Sequence, residues 1–495
     1  MLEFLSITVF FITFLLSCYL FKYFWIEKRG KSPPGPWGLP ILGHLPFLGE
    51  QPLKTLAKWR NKYGNIFRIR MGSWDTVIVN GYADIKEAAE KPDDDFSCRP
   101  HFMTQRVLEE YNGGVSLAFS SFNDAYLVHR KITSTILRYF TGRQDAFTEE
   151  LMYEEVDVLT STLLKKTKDG PVDIRGDIQH SVGSIIYQIL YGRGEDVKKN
   201  LMFMIKFAKD FNEFNRNGNP VDVMPWLEYL MPKRMAIYIG IILEFKKTRE
   251  PMIKEHIETF SPDKQPMDIL DSLLAVDIEH VGNPDITSDR LLGTLADLQG
   301  AGFDTTNKTL QFLILHMTKY PDIQRKVQNE IDDVVGNRTH VTLKDKERLV
   351  FTEATILESM RMKAVVPLAL PRRALQDTQL KGYKISKGTV LFFNLHSALY
   401  DEEIWGDPDN FRPSRFLDDN NKIDLKLSSR VISFSLGRRR CVGETLAKME
   451  IFIMFANMMQ KCSLMKPEAE VLDEESVPGL VYSPKPFKVI VKERV

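Results

Sequence analysis

Cysteine is scarce in this 495-residue chain, with only Cys18, Cys98, Cys441 and Cys462 present. They are widely scattered and form no C-x-x-C pair, which argues against a structural zinc site and against a disulfide framework. Thiols left unpaired suit a reducing compartment. Net charge is also missing. The 66 Lys+Arg balance 66 Asp+Glu, so there is no global basic field of the kind that nucleic-acid binding needs. No Gly-x-Gly-x-x-Gly occurs, so no nicotinamide or flavin fingerprint is present. Internal repeats, low-complexity tracts and a second linker are absent too. Length alone does not set domain number, but without an internal boundary the body of the chain reads as one large domain.

The N-terminus is different in kind. Phe4 to Phe21 is an uncharged run rich in Phe, Leu and Ile. As a helix it would span about 27 Å, close to the hydrocarbon thickness of a bilayer. A cleaved signal peptide would start basic and end in a small-residue site. Here Glu3 precedes the run, and Lys22, Lys28, Arg29 and Lys31 follow it. A retained anchor with its basic flank in the cytosol is therefore favoured over a signal peptide or a buried core helix. Two Asn-x-Thr sequons, at Asn307 and Asn337, are expected to stay unmodified in that topology. Next comes Pro33-Pro34-Gly35-Pro36-Trp37-Gly38-Leu39-Pro40, which cannot be helical because each proline fixes φ and lacks a donor. It reads as a stiff extended spacer rather than an ordinary loop. The expected organisation is an anchor over 1–22, a basic and proline-rich hinge over 23–44, and a globular domain over 45–495.

Helical patterns dominate that domain. Apolar residues recur at helical spacing from Ser288 to Met317, and Pro321 to Val335 opens on proline and closes at Gly336. Strand-like pieces are short: Ile66 to Met71, Thr76 to Val79, Thr389 to Asn394 and Lys488 to Val491. The fold class is mainly α with small β-sheets. Met224 to Leu243, with Pro225-Trp226-Leu227 and an apolar run from Ile237, reads first as a packed core helix. The second reading is an apolar surface that dips into a membrane and admits greasy ligands from the lipid.

Phe434-Ser435-Leu436-Gly437-Arg438-Arg439-Arg440-Cys441-Val442-Gly443 carries the most chemistry. Three arginines beside Cys441 favour a thiolate. Gly437 permits a tight turn, and Gly443 lets backbone approach closely. Glu444 to Met459 has helical periodicity, so N–H groups at its start are placed to moderate a charged sulfur. One thiolate without partner cysteines is unsuited to tetrahedral zinc and suits a single axial ligand to haem iron. The loop resembles the haem-binding signature of the cytochrome P450 family, F-x-x-G-x-R-x-C-x-G. Five specified residues would arise by chance about once in ten thousand chains of this length.

Three further segments follow the order of that family. Ala301-Gly302-Phe303-Asp304-Thr305-Thr306 lies inside the long helical pattern. A helix-interior glycine costs about 1 kcal/mol, and the following hydroxyls can bond back to the i−4 carbonyl, which invites a local widening or bend. The segment resembles the oxygen-activation motif, and the likeness implies that Asp304 and Thr305 relay protons. Asp297 to Thr305 also carries a closer likeness to the microsomal steroid and aryl-hydrocarbon hydroxylases. Glu358 and Arg361 stand at i, i+3 among apolar neighbours, and the resemblance joins them to Arg415 in a buried triad. It also assigns Arg99, Arg130, Arg372 and Arg439 to the haem propionates, with Phe434, Gly437 and Gly443 in the cradle. Arginine suits that task through paired contacts to carboxylates. The chain departs from the family at Tyr126, where W-x-x-x-R would have tryptophan, and at Ser414, where an acid usually precedes Arg415.

The resemblance implies a haem-thiolate monooxygenase fold holding haem b on Cys441, anchored in the endoplasmic reticulum membrane with its catalytic domain in the cytosol. It implies insertion of one atom of O2 into a lipophilic substrate. Electrons would come from a membrane-bound NADPH-dependent flavoprotein reductase, with cytochrome b5 as a further donor, docking where Arg438 and Arg440 are exposed. Ala301, Val366, Ala369 and Leu370 are the expected pocket wall. Two competitors are a reductase-independent enzyme that rearranges peroxides, which would not need Thr305, and a non-catalytic tethered lipid or steroid carrier, which would not need Cys441.

Overall fold

The computed structural model describes residues 13, 14, 17, 31–112, 114–142, 146–194, 197–215 and 218–494. Most of the anchor expected over residues 1–22 lies outside them. Among the described residues, no helix is long and apolar enough to cross a membrane. The chain divides into two units, the first built from residues 1–100, 368–397 and 437–439, the second from 101–367, 398–436 and 440–495.

The first unit is organised by a four-stranded sheet. Its strands are β1 (Ile66–Met71), β2 (Trp74–Asn80), β3 (Arg372–Arg373) and β4 (Val390–Asn394), in the order β1-β2-β4-β3. β1 and β2 form a hairpin in which Met71 pairs with Trp74, and β2 runs parallel to β4 with Thr76 opposite Val390. The hairpin closes through Gly72, whose φ of 58° suits a two-residue turn that matches strand twist. Helices α1 (Pro52–Tyr63) and α2 (Tyr82–Ala89) flank the sheet, and Leu56, Phe67, Ile69 and Ile78 form its core.

The proline-rich stretch is not a free spacer. Arg68 N donates to Pro34 O at 2.7 Å, and a Cβ on Gly35 would fall 1.9 Å from Arg68 O. His44 Nδ1 accepts from Arg70 N at 2.9 Å, while its Nε2 lies 3.0 Å from Pro36 O. Proline supplies no donor, but its carbonyls are good acceptors, so this stretch docks along the edge of β1.

The second unit is helical. Its longer helices are α3 (Met103–Asn112), α4 (Asp124–Thr141), α5 (Ala146–Lys166), α6 (Arg175–Tyr191), α7 (Val197–Asn215), α8 (Pro232–Thr259), α9 (Ile269–Glu279), α10 (Ser288–Lys319), α11 (Pro321–Val335), α12 (Val350–Met362) and α13 (Glu444–Lys461). α10 is the spine: Thr287 caps its N-terminus, and its residues 310–318 are buried almost without break. Small residues let it approach its neighbours. Gly302 has Ile186 of α6 so close that an added Cβ would sit 3.2 Å from its Cδ1. A Cβ on Gly293 would sit 2.2 Å from Val115 O, and Asp297 one turn on accepts from Ala118 N at 2.9 Å and from Ser116 Oγ at 2.8 and 2.9 Å. α10 is α-helical throughout, with no π-turn at Gly302. The hydroxyl back-bond expected there is present, Thr305 Oγ1 donating to Ala301 O at 2.8 Å, but the helix keeps its α pattern through it.

A separate small core of Val107, Val221, Met235, Tyr238 and Ile242 joins α3, α8 and the segment around Val221, with Phe207, Phe211 and Phe214 of α7 packed against it. α8 is apolar on two faces. Met235, Tyr238 and Ile242 are buried, at helical spacing, while Ile237 and Leu243 are 61% and 46% exposed and, just before the helix, Tyr229 and Leu230 are 80% and 69% exposed. Met224–Leu243 is thus both a core element and an apolar surface.

The glycines of α10 should separate by surroundings. Gly293→Ala meets backbone and should cost about 1–3 kcal/mol. Gly300→Ala has no atom within 4 Å of the new Cβ and should stabilise by about 0.5–1 kcal/mol. Denaturant melts of the two variants check this, and equal destabilisation would contradict it.

Candidate active site around Cys441

The cysteine loop is held by its own backbone. Cys441 N donates to Phe434 O at 3.0 Å, closing a loop over Ser435, with φ 62°, and Gly437, with φ 71°. Gly437 is needed twice, because a Cβ there would also meet Ala89 O at 1.8 Å. Phe434 packs on the main helical core and Val442 does the same. Cys441 is an exposed free thiol. Burial of its other sides pushes the thiol above its ordinary range, opposed by the Gly443 N–H and by Arg130 and Arg440.

Two expectations change here. The three arginines do not act as a set on the sulfur: Arg438 faces Asp94 at 3.4 Å, and Arg439 Nε donates to Ser97 O at 2.7 Å. Arg440 is among the groups that lower the thiol. Gly443 is not a place of close backbone approach, since an added Cβ would meet nothing within 4 Å. It stands at the N-cap of α13, where its free N–H reaches the sulfur.

Upstream, Glu358 and Arg361 on α12 are both fully buried. Arg361 Nε donates to Glu358 Oε2 at 2.8 Å, and Nη2 to Oε1 at 3.0 Å. Arg415 Nε donates to the same Oε1 at 2.9 Å. The remaining donors are used on carbonyls: Arg361 reaches Leu399 O and Pro408 O, each at 2.7 Å, and Arg415 reaches Trp405 O at 2.6 Å. A carboxylate shared by two guanidiniums with nearly every donor engaged is the arrangement in which buried charge is tolerated. Ser414 leaves Arg415 unaffected, for Asp407 Oδ1 accepts from its Nη1 at 2.9 Å.

On α10, Asp304 is buried and Thr305 half-buried, while Ala301 is exposed. Burial pushes the Asp304 carboxyl above its usual range, opposed by Lys308 and by a hydrogen bond from Asn212.

The family model for cytochrome P450 matches residues 33–491. This chain belongs to the cytochrome P450 family. Curated relatives include cytochrome P450 1A1 of Rattus norvegicus, 33% identical over 92% of this chain and 89% of the relative. The Felis catus protein is 32% identical over 92% and 90%, and that of Homo sapiens 31% identical over 94% and 95%. As a P450 the chain is a haem-binding monooxygenase. The donor set fits the cofactor: one exposed thiol on a rigid loop, with an N–H directed at its sulfur, can offer a single axial bond and no second ligand.

The other residues singled out in this P450 fall into the two units. In the second, Tyr126 is buried and Arg130 half-buried on α4. Arg130 Nη2 donates to Arg440 O at 2.5 Å, which ties α4 to the cysteine loop. In the first, Arg99 directs Nη1 at Leu370 O and Pro371 O, at 2.9 and 2.8 Å. Its neighbour in that contact, Ala369, has a φ of 52°, a left-handed conformation rare outside glycine. Arg372 lies buried with its guanidinium 4.4 Å over the Phe393 ring. Ala369 and Leu370 belong to the first unit and Ala301 and Val366 to the second, all four at least half-exposed or intermediate in burial. Sequence reading missed Asn212, whose Nδ2 lies 2.8 Å from Asp304 Oδ2. No periodicity links residues so far apart. Lys308, 3.9 Å from Asp304, was legible as an i, i+4 partner.

Removing one member of the triad strands the others. Glu358→Gln and Arg415→Leu should each cost about 3–5 kcal/mol, read as a lowered unfolding midpoint and a lower yield of haem-loaded protein. Either variant melting like the parent would contradict the geometry.

Proposed function

We propose that this P450 is a membrane-anchored enzyme that inserts one oxygen atom into a lipophilic substrate, a steroid, fatty acid or xenobiotic, with electrons from an NADPH-dependent flavoprotein reductase and from cytochrome b5. The observation that carries the reading is Cys441: an exposed thiol on a backbone-closed loop, aimed at by an N–H and at the head of a long helix. Cys441 is the metal ligand. Phe434, Gly437 and Gly443 shape the loop, and Tyr126, Arg130, Arg372 and Arg439 bind the propionates. Arg99 belongs to that group more distantly, its Nη1 being used to hold the carbonyls of Leu370 and Pro371.

Haem bound to a thiolate activates dioxygen for cleavage of its O–O bond, the thiolate adding electron density. The chain's own residues do the rest. Asp304, whose carboxyl burial pushes above its usual range, is the group that passes protons. Thr305, whose hydroxyl already donates to Ala301 O at 2.8 Å, retains its lone pairs to accept from Asp304's side and orient water. Ala301 and Val366 in the second unit, and Ala369 and Leu370 in the first, are the residues proposed to meet an apolar substrate. Glu358, Arg361 and Arg415 keep the cysteine loop in place for cofactor loading.

The proposed organisation is an anchor over 1–22, a basic and proline-rich segment over 23–44 whose part from Pro34 packs on β1, and the monooxygenase domain over 45–495, in the endoplasmic reticulum membrane and facing the cytosol. Tyr229, Leu230 and Ile237, bare apolar side chains on one stretch, support contact of that stretch with lipid. Arg438, Arg440 and Lys448, exposed or nearly so, support electrostatic docking of the reductase. A peroxide-rearranging enzyme is disfavoured because it has no need of the threonine that the Ala301–Thr306 segment supplies at Thr305.

The reduced, CO-bound protein should show a strongly red-shifted Soret band, and Cys441→Ser should lose it. Colourless protein after reconstitution, or an unshifted band, would end the reading. Asn337 is exposed and should carry no glycan in a membrane-expressed protein. Mobility on gels before and after glycosidase treatment decides this, and a glycan at that site would reverse the topology.

A further inference from the structure

Asp304 is gripped from outside its own helix, and its two oxygens have different surroundings. Asn212 Nδ2, from α7, donates to Oδ2 at 2.8 Å. Lys308 Nζ, one turn along α10, lies 3.9 Å from Oδ1. An amide N–H pointing at Oδ2 excludes a hydrogen from that oxygen, so a proton carried by Asp304 sits on Oδ1. The charged groups around the pair are Lys308 and, acting on Lys308 from the start of α6, Arg175. Burial also pushes the Lys308 amine down; Lys308 is the larger of the two influences that oppose burial at Asp304, and the Asn212 amide is the one in hydrogen-bond contact with the carboxyl.

The mounting of Asn212 matters as much as its reach. The flanking Phe211 and Phe214 pack against the small core of Val221, Met235 and Tyr238. The Phe214 and Tyr238 rings stack at 4.8 Å, and those of Phe211 and Tyr238 lie 6.2 Å apart. The amide is therefore carried on a layer with its own apolar core, and what shifts that layer shifts the grip on the acid.

We propose that Asn212 is a positioning residue for Asp304, holding Oδ2 so that Oδ1 is the oxygen that carries and exchanges the proton, and tying that arrangement to the seating of α7. The inference rests on the reading of Asp304 as the proton donor. The reaction takes up two protons per oxygen atom inserted; each proton that Oδ1 gives up toward the Thr305 side is replaced by one from bulk water, with no electrons moved by either residue.

The test uses the full haem-loaded chain. Infrared difference spectra across a pH titration report the protonated carboxyl of Asp304, assigned by its loss in Asp304→Asn. Asn212→Leu removes the donor at similar volume, and the band should titrate at higher pH, with proton affinity up about tenfold. Asn212→Asp keeps the shape but puts a second carboxyl against the first, so it should shift the band further still. Loss of packing alone predicts the opposite order, because the isosteric variant disturbs packing least. The share of NADPH electrons released as hydrogen peroxide should rise in the same order. Unchanged bands in both variants, or Leu above Asp, would overturn the proposal. If Asp304→Asn itself leaves the peroxide share unaltered, the reading of Asp304 fails. If Asp304→Asn raises it and the Asn212 variants do not, only the role of Asn212 falls.

Discussion

A single buried carboxylate organises the approach to the cysteine loop. Glu358 has no solvent exposure and shares its charge between Arg361 and Arg415. Each arginine then spends its other donors on carbonyls of the irregular stretch between Leu399 and Asn410. That stretch has one short helix, Glu402–Trp405, and turns around it, and the carbonyls these leave over must find other partners. The triad therefore acts as a substitute for secondary structure. From the same helix, Met360 O accepts from Ser433 Oγ at 2.9 Å, directly before Phe434, so the register of α12 passes to the start of the loop. The loop in turn fixes Cys441 through its bond to Phe434 O. A thiol on a loop without such support would wander, and a metal ligand must be held to a fraction of an ångström.

Electrostatics at the two ends of the proposed chemistry are arranged in contrasting ways. Around Cys441 the charge is local and partly compensated: Arg440 pairs with Glu444 at 2.5 Å, and Lys448 reaches the same carboxylate at 2.7 Å. The first turn of α13 therefore stays close to neutral, which leaves the Gly443 N–H as the directed polar contact to the sulfur. Around Asp304 the environment is dry, and the nearest cation is itself weakened by burial. A carboxyl whose proton affinity is raised by desolvation, beside a hydroxyl bonded to a backbone carbonyl, fits the proton-donor role proposed for it. The same α10 that carries both residues approaches α6 through Gly302, so the cost of a helix glycine is offset by close packing.

The apolar surface of Met224–Leu243 links organisation to substrate class. One side of α8 helps to build the small aromatic core under α7, and the other side is left bare. Apolar side chains exposed over several turns are expensive in water and are stable against lipid. A substrate that partitions into lipid would arrive at the layer that also carries Asn212. Under the proposed reading, substrate entry and proton supply thus share one mechanical element.

The elements of this chain were largely written in local sequence. The Pro321 start and Gly336 stop set α11 to the residue, and short runs rich in β-branched and apolar residues marked β1 and the middle of β2. The cysteine loop was legible because glycine, arginine and cysteine at fixed spacing serve a chemistry that few other residues can serve. What local sequence could not supply was partnership. Whether three arginines act on a sulfur depends on which way each side chain turns, and two turn to Asp94 and Ser97 instead. Whether a proline stretch is a free rod depends on an acceptor-seeking strand edge thirty residues later. The hold of Asn212 on Asp304 exists only because packing brings α7 against α10. Residue type and spacing determined which groups carry the chemistry; only the tertiary structure decided their neighbours, because burial and hydrogen-bond geometry act between residues that no sequence pattern joins.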